Sequence, residues 1–102
     1  MKDKDVIEIP GAISCGTRLD PMSAKRVARW MGRLFEGGAS ECIVDMTAVE
    51  TLDSSGFGSF VSAVRRLGQD GGRVSVICNN VVRALFETAG VTRFITLVGE
   101  PA

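Results

Sequence analysis

Histidine is absent from this 102-residue sequence, and neither sign of charge is in excess. Without histidine the chain lacks the commonest general base, the usual partner of a nucleophilic serine and the commonest metal ligand. Twelve lysine and arginine residues balance twelve aspartate and glutamate residues, so no basic surplus exists to bind nucleic-acid phosphates or an anionic membrane. We therefore expect neither hydrolytic nor zinc chemistry, and neither nucleic acid nor a membrane as the main partner.

Long apolar segments are also missing, and cysteine is scarce. No stretch approaches the roughly 20 apolar residues of a membrane helix, and residues 1–9, MKDKDVIEI, lack the apolar core of a signal peptide. Cys15, Cys42 and Cys78 are odd in number and widely spaced, which suits neither a disulfide framework nor paired metal ligands. We expect a soluble cytoplasmic protein with three reduced cysteines in its core, no bound metal and no cofactor.

The first 40 residues contain signals for two strands and a helix. Val6 to Ile9 form a short apolar run that stops at Pro10-Gly11, a pair suited to a turn, and a second strand is expected at about 12–16. Asp20 before Pro21 predicts a capped helix that ends at Gly37-Gly38. On its apolar face we expect Trp30 to pack in the core.

The rest of the chain alternates between strand and helix patterns. In order, the predicted elements are a strand at 41–46, a helix ended by 70–72, a strand at 73–78, a helix between Asn79 or Asn80 and Gly90, and a strand at about 91–98. In the third predicted helix we expect the apolar side chains on one face to be buried, namely Val82, Leu85, Phe86 and Ala89. Two strands followed by helix and strand units predict one α/β domain over residues 1–102, a mixed β-sheet with helices packed against it.

Two polar features lie on the predicted helices and strands. Lys25, Arg29 and Arg33 recur every four residues on the first helix, with Arg26 adjoining, and form either a solvated face or a docking strip for an acidic partner. Asp45 closes a central strand, where we expect it to anchor the following loop.

The stretch TLDSSGFGSF, residues 51–60, is the most informative part of the sequence. Any of Asp53, Ser54 and Ser55 could cap the second helix. Glycine costs about 1 kcal/mol per helical position relative to alanine, so Gly56 and Gly58 indicate a second benefit, such as close approach of another chain. The predicted outward positions of this helix are Gly58, Ser59, Ser62, Arg65, Arg66 and Gln69.

These residues resemble a known family, the STAS domains, named for sulfate transporters and anti-sigma factor antagonists. The resemblance lies in IVDMTAVETLDSSGFGSFVSAVRRL and GGRVSVICNNVVRALFETAGVTRFITLV, and more weakly in RLDPMSAKRVARWM. It implies a single-domain STAS-like α/β fold, in agreement with the element pattern.

The resemblance to free-standing bacterial members also implies a function, that of an anti-sigma factor antagonist. In such proteins the serine matching Ser55 is phosphorylated by a kinase that is also the anti-sigma factor. The unphosphorylated form binds that kinase and frees a sigma factor, and a serine phosphatase resets the switch. The resemblance places Asp20, Asp53 and Ser54 at the partner surface. From the second helix we add Gly56, Gly58, Ser59, Ser62 and Arg65 to this predicted partner-binding set.

Two other functions remain open at this point. One is a constitutive scaffold of the same fold, resembling the STAS subunit of bacterial lipid-transport ATPases, in which the serine helix docks permanently and carries no phosphate. The other is an enzyme acting through Ser55, which would need a base and an oxyanion site. Because the chain has no histidine, only Asp53 would be available as that base.

Overall fold

The computed structural model of the protein describes residues 7–9, 11–69, 71–91 and 95–99. Within them the chain forms three helices, α1 (Pro21–Glu36), α2 (Ser54–Gly68) and α3 (Asn80–Ala89). The strands are β1 (Ile7–Ile9), β2 (Ala12–Ser14), β3 (Arg18–Leu19), β4 (Glu41–Met46), β5 (Thr51–Leu52), β6 (Arg73–Cys78) and β7 (Ile95–Val98). The predicted α/β element order is confirmed.

Five of these strands form one mixed sheet in the order β1-β2-β4-β6-β7. Strands β1 and β2 pair antiparallel, whereas β2, β4, β6 and β7 are parallel to their neighbours. In β4 and β6 every second residue is buried, Cys42, Val44 and Met46 in the first and Val74, Val76 and Cys78 in the second. This alternation defines one core-facing side of the sheet, against which the helices pack.

Helix α1 begins at a complete capping box. The side chain of Asp20 accepts a hydrogen bond from the Ser23 backbone N–H at 2.9 Å, and the Asp20 N–H donates to the Ser23 hydroxyl at 3.1 Å. Pro21 occupies the first turn, where its missing N–H costs nothing. The helix ends at Gly37, and Gly38 follows with φ of 104°, so the predicted glycine stop is confirmed.

Trp30 and the three cysteines lie in the core, as the sequence predicted. Trp30 is 7% exposed, and Cys15, Cys42 and Cys78 are buried and unpaired. Burial, together with the charge of Asp45, raises the pKa of the Cys15 thiol to about 12. Asp45 itself anchors the loop after β4, because its Oδ1 accepts hydrogen bonds from the Thr47 N–H and hydroxyl.

Some predicted details differ from the structure. Strand β2 ends at Ser14, because Gly16 has φ of 77° and leaves the extended conformation. Of the α3 side chains predicted to be buried, Leu85 is only half-buried and Ala89 is exposed, the latter because α3 ends there at the left-handed Gly90. Strand β7 begins at Ile95, and the parts of the predictions that concern residues 6, 10, 70 and 92–94 lie outside the described residues.

Candidate functional site

A second, two-stranded sheet brings the starts of helices α1 and α2 together. Strands β3 and β5 are parallel, with Arg18 opposite Thr51 and Leu19 opposite Leu52. The backbone N–H of Asp53 also donates to the carbonyl of Leu19 at 2.9 Å. Each strand runs directly into a helix, so the two capping aspartates, Asp20 and Asp53, follow adjacent strand ends and border one shallow depression.

Asp53 is the N-cap of α2, and Ser55 is bonded to it. The Asp53 Oδ1 atom accepts the backbone N–H groups of Ser55 at 2.8 Å and Gly56 at 3.2 Å, and also the Ser55 hydroxyl. Of the three candidate caps, Asp53, Ser54 and Ser55, the capping residue is therefore Asp53. Ser55 presents an exposed hydroxyl in the first turn of a 15-residue helix, next to N–H groups that have no partner within the helix.

These hydrogen bonds determine the charge state of the cap. The Ser55 hydroxyl, followed by the Gly56 and Ser55 N–H groups, lowers the pKa of the Asp53 carboxyl below its ordinary value. Each of these donors stabilises the ionised form. Asp53 is therefore a carboxylate at neutral pH and a weak base, better suited to holding the serine hydroxyl than to removing its proton.

Gly56 has a different reason for being glycine than the one predicted. It is buried, and a Cβ atom on it would lie 2.6 Å from the Cα and carbonyl carbon of Asp20. The close approach at this position is thus between α2 and the start of α1 within the same chain. The expectation that Gly56 leaves room for a partner is corrected, and Gly56 instead holds Asp20 next to the Ser55 turn.

The other predicted residues of this surface are accessible. Gly58 is exposed, and a Cβ atom there would meet nothing within 4 Å among the described residues, so no contact in that part of the chain requires glycine. Ser54 is also exposed, and its side chain has no hydrogen bond within the described residues. The remaining exposed residues of α2 in the predicted set are Ser59, Ser62, Arg65, Arg66 and Gln69.

A pair of hydrogen bonds from the residue after β6 holds the loop that leads from β4 into the site. Asn79 caps α3 by accepting the Val82 N–H at 2.9 Å. Its Nδ2 group donates to the carbonyls of Thr47 at 3.2 Å and Val49 at 3.0 Å, more than 29 residues earlier in the chain. One side chain therefore fixes both the start of α3 and the turn between β4 and β5.

Sequence reasoning missed three residues that shape the site. Arg18 and Thr51 line the depression next to Asp20 and Asp53, but the two-residue strands that carry them have no sequence pattern long enough to recognise. Ser23 was also missed, although its position three residues after Asp20 is the spacing of a capping box.

The described residues contain no group of three or more side chains that could hold a metal ion. None of the helices in the described part of the chain is long and apolar enough to cross a membrane.

Comparisons with known proteins agree with one another. The family model for the STAS domain matches residues 3–100 of the chain. Among solved structures, the chain is similar to the anti-sigma factor antagonist SpoIIAA in its unphosphorylated form, with a TM-score of 0.68 and 20% sequence identity. That similarity covers 93% of this chain and 87% of the SpoIIAA chain. No curated protein matches the sequence.

Proposed function

The chain belongs to the STAS domain family, and on that premise we propose that it is an anti-sigma factor antagonist in a partner-switching pathway. In this proposal the unphosphorylated protein binds an anti-sigma factor that is also a serine kinase, and so frees a sigma factor. Phosphorylation of Ser55 releases the kinase, and a serine phosphatase restores the binding form.

The observation that carries the proposal is the position of Ser55. Its hydroxyl is exposed at the start of α2, is oriented by Asp53, and lies next to a second capped helix start at Asp20. A kinase can therefore reach the hydroxyl without unfolding the protein. A partner that covers this surface would contact Ser55 together with Asp20, Asp53 and Ser54.

A phosphate at Ser55 would compete with the Asp53 carboxylate for the backbone N–H groups at the start of α2. Phosphoserine adds about −1.5 to −2 charges and three acceptor oxygens, and a helix N-terminus stabilises negative charge. The N–H groups of Ser55 and Gly56 are already bonded to the Asp53 carboxylate, however. The phosphate would displace Asp53 from these groups or stand beside it as a like charge, so the modified surface would differ in both charge and shape.

The size of the effect on binding follows from the cost of that charge at an interface. If burying or displacing the phosphate costs about 3–4 kcal/mol, partner affinity falls on the order of 100- to 1000-fold. The fold tolerates the modification because Ser55 is exposed in the free protein. One hydroxyl group is thus sufficient to act as the switch.

The same geometry argues against catalysis by Ser55. A nucleophilic serine needs a base that accepts its proton, and Asp53, with its pKa held below the ordinary value, is poorly suited to that role. We propose a regulatory, non-enzymatic protein that acts in the cytoplasm, where a kinase has access to ATP.

Intact-mass measurement tests the modification. The protein is incubated with ATP and the proposed partner kinase, and we expect a gain of one phosphate group that a serine phosphatase removes. The Ser54→Ala variant should still gain the phosphate, whereas Ser55→Ala should not. Absence of any phosphate on the wild-type protein would favour a constitutive scaffold of a larger complex, and loss of the phosphate in Ser54→Ala alone would move the site to Ser54.

A further inference from the structure

Helices α1 and α2 border a shallow, open groove that begins one turn beyond Ser55. Its floor is formed by small residues, among them Ala28 and Gly58, and its walls carry Lys25 from α1 and Arg66 from α2. We call this the α1–α2 groove. Its lining residues span positions 21–28 of α1 and 58–66 of α2, so the groove runs for about 12 Å along the helices.

The groove lies in the most basic part of a neutral chain. Helices α1 and α2 contain six of the twelve basic residues and a single acidic one, Glu36, and the N-cap residues Asp20 and Asp53 directly precede them. Within the described residues Lys25, Arg29, Arg33 and Arg66 form no ion pair. Their charges are therefore not neutralised inside the described part of the molecule.

Ser55 lies in line with this groove. Ser55, Ser59, Ser62 and Arg66 follow each other at spacings of four, three and four residues, which places them on one stripe of α2. Ser59, Ser62 and Arg66 all line the groove. A phosphate on Ser55 would thus stand at the end of the stripe that forms one groove wall.

We propose that the α1–α2 groove binds an acidic, rod-shaped segment of the partner protein, such as a helix with glutamate or aspartate along one face. Lys25 and Arg66 pair with its carboxylates, and the small residues of the floor let its backbone approach closely. The proposal rests on the proposed function in one respect, that the same partner contacts Ser55. It also supplies a physical cause for release, because phosphoserine repels an acidic segment at the entrance of the groove.

The shape of the surface favours a protein segment over an anionic membrane. A membrane surface is flat and interacts with cations that project furthest, whereas Lys25 and Arg66 stand on either side of a concave floor. The floor itself presents no large apolar side chain that could enter a lipid layer: Ala24 and Ala63 are buried, and Gly58 has no side chain.

Peptide binding tests the groove without a kinase. The probe is a 16-residue helical peptide with glutamate at every fourth position, and the control peptide has glutamine at the same positions. Titration of the isotopically labelled full chain, followed by amide NMR shifts at low salt, should move the signals of Lys25, Ala28, Gly58 and Ser62. The glutamine peptide should leave them unchanged.

Matched variants separate charge from shape. Lys25→Glu/Arg66→Glu should weaken glutamate-peptide binding about tenfold or more, whereas Arg73→Glu/Arg83→Glu, with the same net charge outside the groove, should change it less than about twofold. Ser62→Phe should also weaken binding because it fills the groove, whereas Thr88→Phe on the exposed side of α3 should not. Circular dichroism and the fluorescence of Trp30 verify that each variant is folded.

Three results would overturn the proposal. These are equal loss of binding in the two charge-reversed variants, unchanged binding by Ser62→Phe, and binding to phosphatidylserine vesicles through Lys25 and Arg66 with none to the peptide. Because no phosphate enters this assay, its failure leaves phosphorylation of Ser55 untouched. If Ser55 is not phosphorylated in the intact-mass experiment, binding of the glutamate peptide would still support the α1–α2 groove as a docking site.

Discussion

The two glycines in the second helix should respond in opposite ways to the same substitution. At Gly56 an alanine Cβ would lie 2.6 Å from two backbone atoms of Asp20, where non-bonded carbons prefer about 3.5–4.0 Å. The starts of α1 and α2 would have to separate by about 1 Å, and neither is a flexible side chain that can turn away. Overpacking of this kind costs typically about 1–3 kcal/mol, partly offset by the higher helix propensity of alanine.

At Gly58 the added methyl group meets no atom of the described residues within 4 Å. Only the helix propensity changes, and Gly58→Ala should raise the free energy of unfolding by about 0.8–1 kcal/mol. For a domain of this size the melting temperature should rise by roughly 4–8 °C, whereas Gly56→Ala, with a net cost of up to about 2 kcal/mol, should lower it. Natural glycine at position 58 thus lowers the stability of the free protein, which is consistent with selection for access by a partner.

Thermal and urea unfolding of the two variants, followed by the fluorescence of Trp30, measures both effects. A second measurement, kinase binding, should show weaker binding by Gly58→Ala despite its greater stability. The reasoning about intramolecular packing is refuted if Gly56→Ala is as stable as the wild type or more so. Tighter or unchanged kinase binding by Gly58→Ala would contradict the role of that glycine at the interface.

Three further predictions follow from hydrogen bonds and pKa shifts. Asn79→Asp keeps the cap of α3 but loses both donors to the loop after β4, so its free energy of unfolding should fall by about 1–3 kcal/mol in denaturant titrations. An NMR titration should give Asp53 a pKa below its ordinary 3.8, and Ser55→Ala should raise that pKa. The pKa of Asp53 is lower in the folded than in the unfolded protein, so its ionised form stabilises the fold above about pH 4. This stabilisation is lost as the pH falls through the folded-state pKa. Since burial raises the pKa of Cys15 to about 12 and that of Cys42 to about 11, neither should react with iodoacetamide in the native protein at pH 8, and mass spectrometry should detect alkylation of them only after unfolding.

The sequence was sufficient to predict the larger elements because their signals are local and repeated. Three- and four-residue spacing of apolar side chains, Asp20 before Pro21 and the glycines after each helix place α1, α2 and α3 within a few residues of their observed bounds. The short strands β3 and β5 could not be found in this way. Each has two residues, and their pairing depends on contact between segments about 33 residues apart.

The sequence predicted which residues form the site but not the contacts between them. Asp53, Ser55 and Asp20 were all named from the sequence, yet the hydrogen bond from the Ser55 hydroxyl to Asp53 is visible only in three dimensions. Gly56 and Gly58 look equivalent in the sequence, and only the position of the Asp20 backbone shows that one serves packing while the other leaves open space.

Binding of the kinase to the two phosphorylation states of the protein tests the proposed switch most directly. Titration calorimetry would compare the unmodified chain with the same chain phosphorylated at Ser55, each purified to a single mass. We expect the phosphorylated form to bind on the order of 100- to 1000-fold more weakly, with no change in fold by circular dichroism. Equal affinity of the two forms would contradict the proposal that Ser55 is the switch.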